Sequence, residues 1–154
     1  EIDGGVLELL AGEQTTGGAT FLNGSFLWSN ITIKAKVDNV VGDSTSIIAR
    51  DNDEGESARC SFGAGAVTFR IYEDYKEVRK VTTSRRSELS GKTLGMTVDN
   101  ESVKCLIDNT VVLNTKHNDE IPSKGRVGFT NWTSEMGVSK LRLHNVEVTA
   151  IPAS

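Results

Sequence analysis

Arginine is concentrated in one segment of the chain. Six of the eight arginines lie between residues 50 and 86, and four of them occupy polar positions of successive predicted strands. A guanidinium group is a planar donor of several hydrogen bonds, so a row of such groups could hold the vicinal hydroxyls of a sugar. The six arginines are Arg50, Arg59, Arg70, Arg79, Arg85 and Arg86.

Acidic and aromatic residues accompany these arginines. Asp51, Asp53 and Glu54 come soon after Arg50, and Tyr72 lies in a later strand. Carboxylates accept hydrogen bonds from sugar hydroxyls, and an aromatic ring packs on the apolar side of a pyranose or furanose. The alternative is pairing of arginine with glutamate across strands on a solvated face, which needs no ligand and contributes little stability. Both interpretations stay open at this stage.

A tryptophan follows a later predicted strand. Asn131 and Trp132 come after the strand Arg126–Thr130, in a predicted loop, where an exposed indole would be a stacking platform for a sugar ring. The alternative is an indole folded over the edge of the core. The predicted ligand-binding residues are Arg50, Asp51, Asp53, Glu54, Arg70, Tyr72, Arg79, Asn131 and Trp132.

The segment 51–56 is rich in carboxylates. Asp51, Asp53 and Glu56 offer the hard oxygen ligands that calcium prefers, so they form a candidate site for a structural calcium ion. The spacing does not fit a helix-loop-helix calcium loop, because the glycine falls one position early. A solvated acidic loop without metal is the alternative.

No set of residues predicts a catalytic site. Asp3 and Glu8 differ in strand parity, whereas retaining hydrolysis of a glycoside needs two carboxyls about 5–5.5 Å apart. His117 and His144 are the two histidines of the chain, and no Gly-x-Ser-x-Gly motif is present. The sequence therefore offers neither a nucleophile triad nor enough ligands for zinc, and we expect no enzymatic activity.

Composition and charge exclude further classes of function. The chain has 17 basic and 21 acidic residues and a net charge of −4, which argues against the uniformly basic surface of a nucleic-acid-binding protein. No run of apolar residues is long enough to suggest insertion into a membrane. A chain of 154 residues has the size of one domain and can bury a sufficient core without metal or disulfide.

Two features bear on the cellular compartment. Cys60 and Cys105 lack the close spacing of zinc ligands and predict either a core pair or one disulfide bridge. Acceptor sequons of the form Asn-x-Ser/Thr support secretion to the extracellular space, although a chain rich in these residues also forms sequons by chance. The sequons begin at Asn23, Asn30, Asn100 and Asn131.

Alternation of apolar and polar residues dominates the chain, and no segment has helical spacing of apolar residues. Many short antiparallel strands joined by turn-forming residues predict one two-sheet domain over residues 1–150. Residues 151–154 look like the start of a linker to other modules of a larger protein. The predicted strands are Val6–Leu10, Ile31–Val37, Ser46–Asp51, Ala58–Phe62, Ala66–Tyr72, Glu77–Thr82, Thr93–Val98, Val103–Asp108, Val111–Asn114, Arg126–Thr130 and Val138–Val148.

The same alternation assigns side chains to the two faces of each strand. Along Ala66–Tyr72, the odd-numbered residues are predicted to face the core, and the even-numbered ones, including Arg70 and Tyr72, the solvent. The alternation breaks at His144 and Asn145, which predicts a β-bulge in the last strand.

Seven segments carry a pattern of strands and turns that extends from Trp28 to Val148. They are WSNITIKAKV (28–37), SIIARD (46–51), AVTFRIY (66–72), GMTVDN (95–100), SVKCLIDN (102–109), GRVGFT (125–130) and LRLHNVEV (141–148). In this pattern the chain resembles the concanavalin A-like lectin and glucanase superfamily, in its laminin-G-like jelly-roll branch. Asn109 stands where that family has a glycine, and asparagine still accommodates a left-handed turn.

The resemblance implies an all-β, two-sheet antiparallel jelly-roll sandwich of the concanavalin A-like type. Members of the superfamily include carbohydrate-binding modules of secreted glycoside hydrolases, some of which recognise fructan ends, and also adhesion or receptor domains. Sandwich lectins often hold structural calcium, which favours the acidic loop as a calcium site.

These features together favour a non-catalytic carbohydrate-binding module of a secreted, multi-modular protein, with a glycan as partner. The abundance of arginine favours acidic or fructose-containing glycans. The alternative is a protein-binding laminin-G-like adhesion domain.

Overall fold

All regular secondary structure in the described part of the protein is β-strand. The computed structural model describes residues 6–10, 17–22, 28–41, 44–63, 65–84, 89–117, 121–132 and 140–151. Among these residues there is no helix with the length and apolar character needed to cross a membrane. The strands are β1 (Val6–Leu10), β2 (Gly17–Phe21), β3 (Ile31–Val41), β4 (Ser44–Asp51), β5 (Ser57–Gly63), β6 (Ala66–Glu73), β7 (Lys76–Ser84), β8 (Thr93–Val98), β9 (Ser102–Ile107), β10 (Thr110–Lys116), β11 (Arg126–Trp132) and β12 (Lys140–Ala150).

The strands form two six-stranded sheets. The first sheet has the order β1-β12-β3-β8-β9-β10, and the second has the order β2-β11-β4-β5-β6-β7. Every pair of neighbouring strands is antiparallel. The predicted all-β, two-sheet antiparallel jelly-roll sandwich is thereby confirmed.

The core lies between the inner faces of the two sheets. Phe62, Phe69 and Phe129 of the second sheet pack with Ile33 and Met96 of the first, and each of these side chains is at most 2% exposed. Burying a side chain of this size stabilises the fold by about 1.5–3 kcal/mol relative to leaving it in water. Because successive residues of a strand point to opposite faces, this core also determines which side chains lie on the outer faces.

Two local features, a bulge and a turn, agree with the sequence predictions, and one strand was not predicted. The bulge predicted in the last strand is confirmed, since the β12–β3 register shifts between His144 and Glu147 and Asn145 has a φ of 54°. Asp108 and Asn109 form the left-handed turn between β9 and β10, with φ of 51° and 64°. Strand β2 was not predicted, because its sequence GGATF has two glycines and no alternation; it forms by pairing with β11.

Several sequence predictions fall outside the described residues. They concern Asp3, Asn23, Arg85, Arg86 and the tail 152–154. The single domain over residues 1–150 stays a prediction.

A disulfide bond joins the two sheets through the core. Cys60 of β5 and Cys105 of β9 are both fully buried, and their Cα atoms are 5.8 Å apart. Of the two alternatives that the sequence left open, the structure contains the bridge. In the chain-entropy model, closing a loop of 45 residues stabilises the folded state by about 4 kcal/mol.

We expect the variant with Cys60→Ala and Cys105→Ala to be less stable by about 4 kcal/mol, because its unfolded chain regains the entropy that the bridge removes. Urea unfolding followed by tryptophan fluorescence measures this difference. The reduced wild type, with both thiols free and kept in reductant, is the matched control. A loss below about 1 kcal/mol in the double variant would show that the bridge contributes little.

The turn before β9 is closed by a carboxylate. Asp99 Oδ1 accepts hydrogen bonds from the backbone N–H of Glu101 at 2.8 Å and of Ser102 at 2.7 Å. Burial raises the pKa of Asp99. The two backbone hydrogen bonds, the bond from the Ser102 hydroxyl and the charge of Lys104 lower it by more than burial raises it, so the pKa lies below its ordinary value. The backbone carbonyl of Asp99 also lies 2.7 Å from Nε2 of the buried His117, which ties this turn to the end of β10.

We expect Asp99→Asn to remove a pH-dependent contribution to stability. The pKa of Asp99 is lower in the folded state than in the unfolded state, where it is about 3.9. Its contribution to stability is therefore complete above about pH 3.9 and is lost as the pH falls through the folded pKa. The difference in free energy of unfolding between wild type and variant should therefore shrink as the pH is lowered from 6. Glu101→Gln, in which the changed side chain makes none of these bonds, is the control. If the difference in free energy of unfolding between wild type and Asp99→Asn stayed constant as the pH was lowered from 6, Asp99 would not be the source of the pH dependence.

Candidate functional site

The outer face of the second sheet carries a row of cations. In the register of the sheet, Arg59 of β5 lies opposite Arg70 of β6, and Arg70 lies opposite Lys80 of β7. These residues point away from the core because their strand neighbours, such as Cys60 and Phe69, point into it. Arg59 and Arg70 are therefore neighbours on the outer face, as the predicted row of arginines requires.

Arg59 packs on the ring of Tyr72. The guanidinium carbon lies 4.4 Å from the centre of the ring, which is a cation–π contact. Its Nε atom is buried and has no hydrogen-bond partner among the described residues. The ring holds the guanidinium plane in place, and Arg59 as a whole is half-buried.

Arg70 belongs to a connected set of polar side chains. Its Nη1 donates to the Ser61 hydroxyl at 2.8 Å, and its Nε is 2.7 Å from Oε1 of Glu77. The hydroxyls of Ser61 and Ser46 are 2.8 Å apart and share a hydrogen bond. We call the surface formed by these side chains the arginine face; it consists of Ser46, Arg59, Ser61, Arg70, Tyr72, Glu77 and Lys80.

An open cleft adjoins the arginine face at the turn between β5 and β6. Its volume is about 280 Å³, close to the lower end of the range of about 300–1,000 Å³ that is typical of small-molecule sites. Small residues form its walls, and three of them carry hydroxyl groups. The lining residues are Ser44, Ser61, Gly63, Gly65, Ala66, Thr68 and Arg70.

Arg126 of β11 organises one end of this outer face, and the sequence prediction did not include it. Its Nη2 lies 2.6 Å from Oδ1 of Asp51 and 3.1 Å from Oδ1 of Asp53. Its guanidinium carbon is 3.8 Å from the ring centre of Phe21. Arg126 precedes the inward-facing Val127 in β11, so the alternation of the strand places it on the outer face. This outward position is the signal that could have identified it. Arg59 carries the same signal and was left out of the predicted site.

Arg50 does not lie on the arginine face, which corrects the sequence prediction. Its side chain is 2% exposed and donates hydrogen bonds to the carbonyl oxygens of Ser29 and Pro122, each at 3.2 Å, and to Oδ1 of Asn30 at 2.9 Å. Burial lowers the pKa of the Arg50 guanidinium, and the charge of Asp99 partly opposes this effect. Arg50 thus ties β4 to the chain that leads into β3 and to the segment after β10.

An irregularity between two strands explains why the parity rule fails at Arg50. The β4–β11 register shifts between Arg126 and Gly128, so that strict alternation ends before Asp51, and Arg50 has a φ of 54°. Gly125 makes this geometry possible, because a Cβ atom there would lie 2.4 Å from the carbonyl carbon of Arg50. A bulge of this kind redirects a side chain without changing the apolar pattern of the strand.

Arg79 also lies away from the arginine face. The register of β6 and β7 shifts between Ile71 and Tyr72, so Arg79 is opposite the core residue Ile71. From this position Arg79 donates to the carbonyl oxygen of Lys116 at 2.8 Å and to the Thr115 hydroxyl at 2.9 Å. Arg79 therefore bridges the edge strands β7 and β10 of the two sheets.

The predicted site at the end of β11 has a different arrangement in the structure. Asn131 lies within β11 and not in a loop; it is 2% exposed, and neither polar atom of its amide has a hydrogen-bond partner among the described residues. It occupies the parity of Val127 and Phe129, which are core residues. Trp132 ends β11, and its side chain is outside the described part of the structure. The stacking role of Trp132 stays a prediction.

The acidic loop is closed by bonds within the protein. Asn52 Oδ1 accepts from the backbone N–H of Glu54 at 2.9 Å, and Asn52 Nδ2 donates to Oε1 of Glu56 at 2.8 Å. Asp51 and Asp53 both face the cationic Arg126. Within the described ranges no group of three acidic, histidine or cysteine side chains is arranged to hold a metal ion. One oxygen of each carboxylate, Asp51 Oδ1, Asp53 Oδ1 and Glu56 Oε1, has a partner within the protein, and Glu54 is exposed beside them. The calcium site stays a prediction.

Solved structures with low sequence identity share the fold of this chain. CBM66, a carbohydrate-binding module from Bacillus subtilis, has a TM-score of 0.71 at 14% identity, and the match covers 89% of this chain and 84% of that one. A prokaryotic β-1,3-1,4-glucanase (lichenase) derived from a mouse hindgut metagenome has a TM-score of 0.69 at 12% identity, covering 95% and 80%. A β-glucanase of Bacillus licheniformis has a TM-score of 0.63 at 15% identity, covering 95% and 78%.

No protein-family model matches the chain, and no curated protein sequence matches it. At 12–15% identity, the structural likeness establishes the fold alone. The laminin-G-like branch of the resemblance stays a prediction.

We expect Arg50→Met to lower the free energy of unfolding by about 3 kcal/mol, because three partly buried acceptors lose a charged donor. Urea unfolding measures this loss. Arg50→Lys, which keeps the charge but not the planar fork of donors, should recover part of it. Wild-type stability in Arg50→Met would contradict a structural role for this residue.

Proposed function

We propose that this chain, which has the concanavalin A-like jelly-roll fold, is a non-catalytic module that binds carbohydrate on its arginine face. The observation that carries the proposal is the stack of Arg59 on Tyr72 on the same face as the cleft. This arrangement combines an aromatic ring and a planar donor with the underlying hydroxyls of Ser46 and Ser61, which are 6% and 4% exposed. Sugar sites use the same combination, with polar groups setting orientation and an apolar face adding dispersion.

The polar groups of the face are held in place before any ligand binds. Ser61 is hydrogen-bonded to both Arg70 and Ser46, and Glu77 fixes the other side of the Arg70 guanidinium. A preformed site avoids the entropy cost of ordering its side chains on binding. Ser44 and Thr68 add hydroxyl groups along the adjoining cleft.

The distribution of carboxylates supports a non-catalytic role. At the Arg126 end of the outer face, Asp51 and Asp53 are both paired with that arginine. Elsewhere the outward positions of β4, β5 and β6 carry serine, threonine, arginine, tyrosine and apolar side chains, and Glu77 on β7 is bound by Arg70. Retaining and inverting glycosidases both need a pair of carboxyl groups facing each other across the scissile bond. Apart from the two carboxylates held by Arg126, the described part of this face offers no such pair, although two of the structural neighbours are glucanases.

The disulfide supports a role outside the cytoplasm. A buried Cys60–Cys105 bridge forms and persists in an oxidising compartment. We therefore propose that the chain is exported as one module of a larger secreted protein.

Protein adhesion is the second candidate function, and one observation favours it. Tyr75 and Val78, at and beside the turn between β6 and β7, are 74% and 52% exposed. Exposed apolar side chains at the end of a hairpin suit a protein partner. They lie apart from the paired residues of the arginine face, so the two functions can be tested by separate variants.

We expect Tyr72→Ala and Arg70→Ala each to raise the Kd for a bound glycan by about tenfold or more, because each removes a fixed contact of the face. A screen of the wild type against soluble polysaccharides, in calcium and then in chelator, identifies the glycan and also tests the predicted calcium. Calorimetric titration of the variants with that glycan then gives the change in Kd.

Tyr75→Ala is the matched control, since it removes an exposed tyrosine outside the face and should leave the Kd unchanged. Unchanged affinity in both Tyr72→Ala and Arg70→Ala would refute the proposed face. Failure of the wild type to bind any glycan would refute carbohydrate binding and favour protein adhesion.

A further inference from the structure

We infer that the carbohydrate bound on the arginine face is anionic, with a carboxylate or sulfate group placed against Arg59. The inference rests on the proposed function and specifies the chemical class of its ligand. It follows from the charges of the face, from the environment of Arg59 and from the neutral character of the adjoining cleft.

The face brings three cations into direct register. Arg59 is the cross-strand partner of Arg70, and Arg70 is the cross-strand partner of Lys80. Like charges that are directly opposite each other destabilise a sheet. The net charge of the whole chain is −4, so this row is a local concentration of positive charge in an acidic protein.

One carboxylate compensates only part of this charge. Glu77 pairs with Arg70 at 2.7 Å. Within the described residues Arg59 has a contact with the ring of Tyr72 but no ion pair, and Lys80 is exposed. An anionic ligand would supply the missing countercharge at the Arg59 end of the row.

The environment of Arg59 suits the binding of an anion. Among the described residues its buried Nε has no acceptor, which is costly for a charged group, and Tyr72 restrains the plane of the guanidinium. An anion arriving from solvent would approach the terminal amino groups of the half-buried guanidinium rather than Nε. A carboxylate or a sulfate presents two oxygens that match the fork of an arginine. The hydroxyl of a neutral sugar would satisfy a donor but would leave the charge uncompensated.

The adjoining cleft is suited to the uncharged part of the same ligand. Apart from Arg70, its lining consists of serine, threonine, glycine and alanine. Ser61 belongs both to the cleft and to the hydrogen bond with Arg70. A sugar ring in the cleft would therefore bring a charged substituent, or a charged neighbouring unit, towards the arginines.

The test compares polymers that differ only in charge. Polygalacturonate is compared with its methyl ester, and dextran sulfate is compared with dextran, by calorimetry with the intact protein. We expect at least one anionic polymer to bind about tenfold more tightly than its neutral counterpart, and the affinity to fall between about 0.05 and 0.5 M NaCl. Preference confined to polygalacturonate identifies a carboxylate ligand, and preference confined to dextran sulfate identifies a sulfate; preference in both pairs supports recognition of the shared anionic chemistry.

Variants place the anion at Arg59. Arg59→Met should lose about tenfold in affinity for the anionic polymer. Lys36→Met, which removes one exposed cation from the first sheet, should stay within about twofold of wild type. Arg59→Lys keeps the charge but not the planar fork of donors, and it should lose part of the affinity even if Arg59→Met fails to fold. Wild-type affinity in a folded Arg59→Met, or in Arg59→Lys where Arg59→Met does not fold, would overturn the placement.

Failure of this inference is distinguishable from failure of the proposed function. Equal binding of an anionic polymer and its neutral counterpart would overturn the inference and leave carbohydrate binding intact. Binding of neutral glycans alone in the broad screen would have the same meaning. Absence of binding to every glycan would overturn both.

Discussion

Burial of alternate side chains between the two sheets is the constraint on which the arginine face depends. Cys60 and Phe62 of β5, and Phe69 and Ile71 of β6, are fully buried. The residues between them must therefore point away from the core, and antiparallel register places Arg59 beside Arg70. The spacing of the two guanidinium groups thus comes from the packing of the opposite face of the same strands.

The disulfide bond also constrains the strand that carries Arg59. Cys60 lies between Arg59 and Ser61 in β5, and its bond to Cys105 attaches this part of the strand to the first sheet. The backbone directly under the arginine face is therefore covalently fixed at its inner side. The side chains above it are linked by the hydrogen bonds of Ser61 and by the stack on Tyr72. Rigidity of this kind favours recognition through groups that are already oriented.

Sequence alone predicted the fold because alternation is regular in most strands and the core follows from it. It failed for β2, whose two glycines carry no alternation and whose position comes from pairing with β11. Arg50 and Arg79 were misplaced because each lies next to a register shift, and nothing in the apolar pattern marks those shifts. Only contacts distant in sequence, such as the three acceptors of Arg50, reveal them.

The candidate site was predicted in part for the same reason. Arg70 and Tyr72 keep regular register with β5, and alternation placed them correctly on the outer face. Arg59 and Arg126 have equally clear parity, but their importance depends on partners contributed by other strands, namely Tyr72 and Asp51. A pattern within one strand does not contain that information.

Strand β7 forms one edge of the second sheet, and its charged side chains hinder pairing with a strand of a neighbouring molecule. An open edge can recruit a strand from another copy and so begin aggregation. Lys76, Glu77 and Lys80 are exposed along this edge, and the bulge beside Val78 interrupts its hydrogen-bonding pattern. Arg79 further ties it to β10 of the opposite sheet. Copies of this domain held close together are therefore protected against association through the β7 edge.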